Sequence, residues 1–190
     1  MIGAVVLAAG EGTRFGGQKQ LAELDGRPLL EHALAAVAEA AVDDTVVVLG
    51  AGADDVLDTV DLHGARPVIC ERWEEGMSAS LASGLAALED VEAVVVCLGD
   101  QPRVSAEAIR RVLAARDGAA PATRATYGGE PGHPVVLEAE LLGPLRDVTG
   151  DRGARSLLRR IGTRGVPCDD LGGGEDVDTP DELGKVRKVL

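Results

Sequence analysis

The chain has 190 residues, 45% of them hydrophobic and 27% charged, with a formal net charge of −13 at pH 7. That length predicts one domain, running over 1–190, with a single large core. So acidic a chain is a poor partner for nucleic acid or an anionic membrane. Phe15, Trp73 and Tyr127 are its only aromatics, too few for a base-stacking platform. No apolar run is long enough to span a bilayer, and no basic start leads into a signal-type apolar stretch. Cys70, Cys97 and Cys168 lie far apart, which suits neither a zinc site nor a disulfide framework and fits the cytoplasm.

Apolar, β-branched runs predict strands at Ile2–Leu7, Thr45–Leu49, Pro67–Cys70, Ala93–Leu98, Ala119–Ala122, His133–Leu137 and Gly165–Cys168. Helical spacing of apolar residues predicts helices at Pro28–Ala41, Ala53–Val60, Ser78–Leu88, Ala106–Arg116, Ala154–Arg160 and Pro180–Val189. Strands alternating with helices predict an α/β fold: a Rossmann-like three-layer sandwich with a mostly parallel sheet and helices on both faces. The glycine-rich stretches Tyr127–Gly132 and Gly172–Gly174 read as loops within that unit.

In an open α/β sheet ligands lie beyond the carboxyl ends of the strands, and four such ends carry candidate chemistry. The first apolar run leads into Gly10-Glu11-Gly12-Thr13-Arg14-Phe15-Gly16-Gly17-Gln18-Lys19. Glycines let backbone N–H groups close on an anion, and two cations beside them point to a polyphosphate. The loop is neither a P-loop, since Gln20 follows Lys19, nor G-x-G-x-x-G, since Gly12 and Gly16 are one residue too far apart. A solvated glycine-rich surface loop is the plain alternative.

Further on, Gly76-Met77-Ser78-Ala79-Ser80 opens a helix, where either serine also serves as an ordinary N-cap. Leu98-Gly99-Asp100-Gln101-Pro102 puts an acid directly after a buried strand. Asp100 is there either a hard oxygen ligand for Mg²⁺ or a cap of the turn. In Asp178-Thr179-Pro180-Asp181-Glu182 the acids favour a helix N-terminus, the role assigned to Asp181 and Glu182. His32 and His63 carry no pattern.

Leu7-Ala8-Ala9-Gly10, Arg14-Phe15-Gly16, Lys19-Gln20-Leu21 and Gly26-Arg27-Pro28-Leu29-Leu30 together resemble a family signature. It is that of the nucleotidyltransferases related to molybdenum-cofactor cytidylyltransferase. Their kin include the molybdenum-cofactor guanylyltransferases and the sugar-phosphate and methylerythritol-phosphate nucleotidyltransferases. The resemblance runs collinearly from Leu7 to Leu183, and Phe15 departs from the methionine common at its position.

The resemblance implies that Leu7, Ala8, Ala9, Gly10, Gly12, Arg14 and Lys19 wrap the triphosphate, and that Gly76, Ser78 and Ser80 hold base and ribose. It makes Asp100 and Asp178 the ligands of Mg²⁺, and Arg14, Lys19 and Asp100 the catalytic set. Tyr127–Val135 and Gly150–Arg155 resemble acceptor-side segments, which gives His133, Arg152 and Arg155 contact with the acceptor. Structural roles for those three residues stay open.

The implied reaction moves CMP from CTP to the phosphate of molybdopterin and releases pyrophosphate, with a molybdenum hydroxylase as the recipient of the product. Guanylyl or other NTP transfer to a different phosphorylated acceptor is one alternative. An oxidoreductase acting on a nicotine-derived pigment is another, since some relatives are so described. A non-catalytic cofactor chaperone is the third, and the full set of Arg14, Lys19, Asp100 and Asp178 speaks against it.

Overall fold

A computed structural model describes residues 1–146 and 162–187. The chain begins with β1 (Ile2–Ala8), a small hairpin of β2 (Glu23–Leu24) and β3 (Arg27–Pro28), and α1 (Leu29–Glu39). Next come β4 (Asp44–Leu49), α2 (Ala53–Thr59), β5 (Arg66–Ile69), α3 (Met77–Ala86), β6 (Ala93–Leu98) and α4 (Ala106–Ala114). Strands β7 (Ala122–Tyr127) and β8 (Glu130–Glu138), helix α5 (Ala139–Arg146), β9 (Arg164–Pro167) and α6 (Pro180–Arg187) complete the described part.

Seven strands form one sheet in the order β5-β4-β1-β6-β8-β7-β9. Only β8 runs against its neighbours. The order places β1 between β4 and β6, where an apolar strand is buried on both faces. Side chains alternate across it. Ala4, Val6 and Ala8 pack with Leu30, Leu34 and Val37 of α1, Val56 of α2, and Ile109 and Val112 of α4. Val5 and Leu7 pack on the opposite face with Leu81 and Leu85 of α3 and Leu141, Leu142 and Leu145 of α5. The predicted three-layer α/β sandwich is therefore the observed one.

Packing outweighs local preference in α3, whose sequence includes Gly84 and two serines among its first four residues. A mid-helix glycine costs about 1 kcal/mol, whereas each buried leucine contributes about 1.5–3 kcal/mol. Among the described residues no helix is long and apolar enough to cross a membrane.

The structure adds the β2–β3 hairpin to the predicted elements and begins β8 at Glu130 rather than His133, and two further elements depart more widely. Strand β7 runs from Ala122 to Tyr127 rather than over the predicted Ala119–Ala122, and the stretch Tyr127–Gly132, predicted as a loop, holds its last residue, a tight turn and the start of β8. Gly128 and Gly129, with φ of 59° and 81°, make its two-residue turn. The sequence pattern predicts no helix at α5 because Gly143 and Pro144 interrupt it, yet Leu141, Leu142 and Leu145 bury its inner face. The predicted helix at Ala154–Arg160 lies outside the described residues.

Candidate active site

Strands β1 and β6 are parallel neighbours, with Leu7 opposite Leu98, so the segments that follow them leave the sheet side by side. The first is the glycine loop and the second carries Asp100. A third segment reaches the same place from β9 through Gly172–Gly174, whose φ values of 65°, 96° and 89° suit glycine alone. A Cβ on Gly174 would stand 2.6 Å from the Tyr127 ring, so this run turns tightly around that side chain. It delivers Val177, whose N–H donates to the Asp100 carbonyl at 2.9 Å, and with it Asp178. Helix α6 is then capped reciprocally. Glu182 accepts from the Asp178 N–H at 2.8 Å and the Thr179 hydroxyl at 3.0 Å, while the Thr179 Oγ1 accepts from the Glu182 N–H.

The three segments meet at one cation. Lys19 Nζ donates to Asp100 Oδ2 at 2.6 Å and to Asp178 Oδ1 at 2.8 Å. Arg14 Nη2 lies 2.7 Å from Asp178 Oδ2. The Lys19 side chain is 15% exposed and both carboxylates 22%, whereas Arg14 is 75% exposed and reaches in from solvent. Burial pulls the Lys19 pKa down, but Asp100 and Asp178 outweigh it and raise the ammonium above its ordinary value. The Lys19 hydrogen bond, with Arg14 assisting and desolvation opposing, holds the Asp178 carboxyl below the usual range.

This donor set suits a small hard cation. One oxygen from each carboxylate already converges on the Lys19 ammonium, and Asp100 Oδ1 is buried with no hydrogen-bond partner among the described residues. No group of three or more His, Cys, Asp or Glu is gathered for a metal among those residues. Mg²⁺ commonly takes one or two carboxylates and completes its octahedron with water and substrate phosphates, so two carboxylates are enough.

The loop beside the cluster is pinned internally. Phe15 and Gly16 N–H groups donate to the Gly12 carbonyl at 2.9 and 3.2 Å. Gly12 has φ of +71°, and a Cβ there would stand 2.4 Å from the Gly17 carbonyl oxygen, so no other residue fits without rebuilding the turn. The buried Gln20 amide donates to the Ala8 carbonyl at 2.9 Å and the Gly10 carbonyl at 2.7 Å, tying the loop's departure to its return. A cleft of about 240 Å³ opens between Gly10–Arg14, Lys19 and Asp178. A hollow of about 460 Å³ next to Leu88, Asp90 and Arg146 precedes β6 and lies at the other end of the sheet, away from this chemistry.

Of the sequence-predicted residues, Gly10, Gly12, Arg14, Lys19, Asp100 and Asp178 come together here. Leu7, Ala8 and Ala9 are buried scaffold whose carbonyls accept from Gly99 N–H, the Gln20 amide and Ala51 N–H. Gly76 enters α3 with φ of 103°, and Ser78 and Ser80 are buried in its first turn, with the exposed Met77 between Gly76 and Ser78. His133 stands on β8, two residues from the Val135–Val96 pairing and towards the Asp100 end, and its carbonyl accepts from the Tyr127 hydroxyl at 3.0 Å. Arg152 and Arg155 lie outside the described residues.

Sequence reasoning missed Gln20 and the pair Gln101–Asp176. Gln101 Nε2 donates to Asp176 Oδ1 at 2.7 Å. The Asp176 residue is exposed overall, yet its carboxyl is partly desolvated; that desolvation raises its pKa, Asp100 and Asp178 push the same way, and Gln101 opposes. Gln20 lies within the Lys19-Gln20-Leu21 stretch of the family resemblance and Gln101 directly follows Asp100, but an amide has no charge that would assign it a role there.

A mostly parallel sheet with a cationic glycine loop after its first strand has the α/β fold of the nucleotide-diphospho-sugar transferases. Residues 4–165 match the MobA-like NTP transferase domain, and the chain belongs to that family of nucleotidyltransferases. It is 35% identical over 189 residues to nicotine blue oxidoreductase of Paenarthrobacter nicotinovorans, covering 94% of this chain and 93% of that one. Rv0371c of Mycobacterium tuberculosis, solved in complex with manganese, superposes with a TM-score of 0.85 at 29% identity over 100% of this chain and 99% of that one. A nucleotidyl transferase from Methanothermobacter does so with a TM-score of 0.83 at 26% identity, over 99% and 96% of the two chains.

Proposed function

We propose that this protein transfers CMP from CTP to the phosphate of a molybdopterin acceptor and releases pyrophosphate. The observation that carries the proposal is the junction at Lys19, where one ammonium touches carboxylates from two distant strand ends beside a glycine-loop cleft. Loop amides, Arg14 and Lys19 hold the β- and γ-phosphates and offset charge on the departing pyrophosphate. An acceptor phosphate oxygen attacks the α-phosphorus in line. The new P–O bond forms as the bond from the α-phosphorus to the bridging oxygen breaks, and the pyrophosphate takes that electron pair. The acceptor oxygen is already ionised, so no side chain must remove a proton, and no nucleophilic Ser or Cys is needed. Asp100 and Asp178 would hold Mg²⁺, which supplies positive charge to the phosphoryl oxygens when bound.

Gly76, Ser78 and Ser80 are assigned to the base and ribose. Since both serines are buried, contact there falls mainly to backbone groups around Gly76 and Met77. His133, Arg152 and Arg155 are assigned to the acceptor. The protein acts as one domain in the cytoplasm, where three buried free thiols stay reduced. It passes its product to a molybdenum hydroxylase.

A second reading rests on the name of one relative, an oxidoreductase acting on nicotine blue. One plate separates the two. Pyrophosphate release is measured with Mg²⁺, molybdopterin and CTP, GTP, ATP or UTP in parallel, beside wells with NADH or NADPH and the pigment. Release with CTP alone is the expected result. Release with GTP alone replaces the cytidylyl assignment and keeps the mechanism. Pigment-dependent NAD(P)H oxidation with no release from any NTP contradicts the proposal.

A further inference from the structure

We propose that Gln101 and Asp176 form a positioning clamp that fixes how the Asp100 and Asp178 carboxylates face each other; the inference rests on the nucleotidyl-transfer reading above. The two carboxylates arrive on separate stretches of chain. Two hydrogen bonds join those stretches: Val177 N–H to the Asp100 carbonyl at 2.9 Å, and Gln101 Nε2 to Asp176 Oδ1 at 2.7 Å across 75 residues of sequence. One backbone bond sets a distance but leaves rotation about itself. A second bond, offset by one residue on each stretch, removes that rotation.

The residue type points the same way. Gln101 is 3% exposed, and its Oε1 has no hydrogen-bond partner among the described residues. Burying half an amide unsatisfied is unfavourable against an apolar side chain of equal size, so packing alone does not account for a glutamine. Its donated bond to Asp176 does.

Lys19 cannot do this work throughout the cycle. Its ammonium bridges Asp100 and Asp178, and a triphosphate in the cleft draws that ammonium towards itself. Until a metal ion reaches them the two carboxylates then repel each other, and contacts independent of Lys19 keep them in place. The Gln101–Asp176 bond is such a contact.

The test titrates the whole chain calorimetrically with Mn²⁺, and again with Mn²⁺ and CTP in the absence of acceptor. Q101M and D176A should each weaken Mn²⁺ binding about tenfold, the lower end for residues that orient metal ligands. The double variant should be no weaker than either single one. D176N, which keeps an oxygen to accept from Gln101, should bind like wild type. D176A leaves the buried Gln101 amide without its acceptor and should lower the melting temperature modestly, so affinities are compared at a temperature where every variant is folded. Should Q101M fail to fold, the D176A and D176N pair carries the comparison. Equal affinity in wild type and all variants overturns the clamp, as does D176N as weak as D176A, which would mean Asp176 acts by charge. Wild type that binds Mn²⁺ under neither condition removes the underlying site reading instead.

Discussion

Asp100→Ala is expected to lower kcat about 10²–10³-fold at saturating CTP, the usual effect of removing one aimed electrostatic contact from a transferring group. The loss should fall on turnover and leave folding intact. The contact that joins Asp100 to the C-terminal segment is its backbone carbonyl, accepting from Val177 N–H, and alanine retains it. The deleted carboxyl contributes one oxygen to Lys19 and leaves the other buried without a partner among the described residues. A group kept for stability would not be left half satisfied in this way. Steady-state kinetics with a parallel melting curve check the expectation. Unchanged turnover, or a collapse of the fold with activity per folded molecule preserved, contradicts the assignment.

Lys19→Met should reduce kcat/KM by a similar factor of about 10²–10³ and should also remove a share of stability whose pH dependence has a defined direction. The folded Asp178 carboxyl is held below its ordinary range by Lys19. Its share of the pair's stabilisation is therefore complete above the unfolded carboxylate pKa and disappears as pH falls through the lower folded value. Lys19 is raised, so its share is complete below the unfolded lysine pKa and disappears as pH climbs through the higher folded value. The stability difference between wild type and K19M should be flat from about pH 5 to pH 9 and shrink in acid below about pH 4. Urea denaturation of both proteins across that range measures it. A difference that grows on acidification contradicts the ion-pair account.

Legibility in the sequence followed burial. Strands β1, β4 and β6 are unbroken apolar runs because neighbours cover both faces, and their bounds were read within a residue or so. Strand β7 alternates polar Thr123, Arg124 and Thr126 with alanine, and its last residue adjoins two glycines, so a loop was the easier reading. Helix α5 hid behind Pro144, which tertiary burial of three leucines tolerates.

At the site, charged residues with fixed spacing were legible: Arg14, Lys19, Asp100 and Asp178. What held them was not. Gln20 and Gln101 act through hydrogen bonds to partners that only the folded chain brings near, and an amide carries no charge or spacing that announces such a role. The serines of α3 were legible as polar residues at a helix start, but sequence alone gave no sign that they turn inward.

The most direct measurement follows phosphorus. CTP labelled on the α-phosphate or the γ-phosphate is incubated with Mg²⁺, molybdopterin and the protein, and the products are separated. The account predicts α-label in the pterin product and γ-label in free pyrophosphate. Label from the γ-phosphate on the acceptor, or no transfer of either label by folded protein, contradicts it.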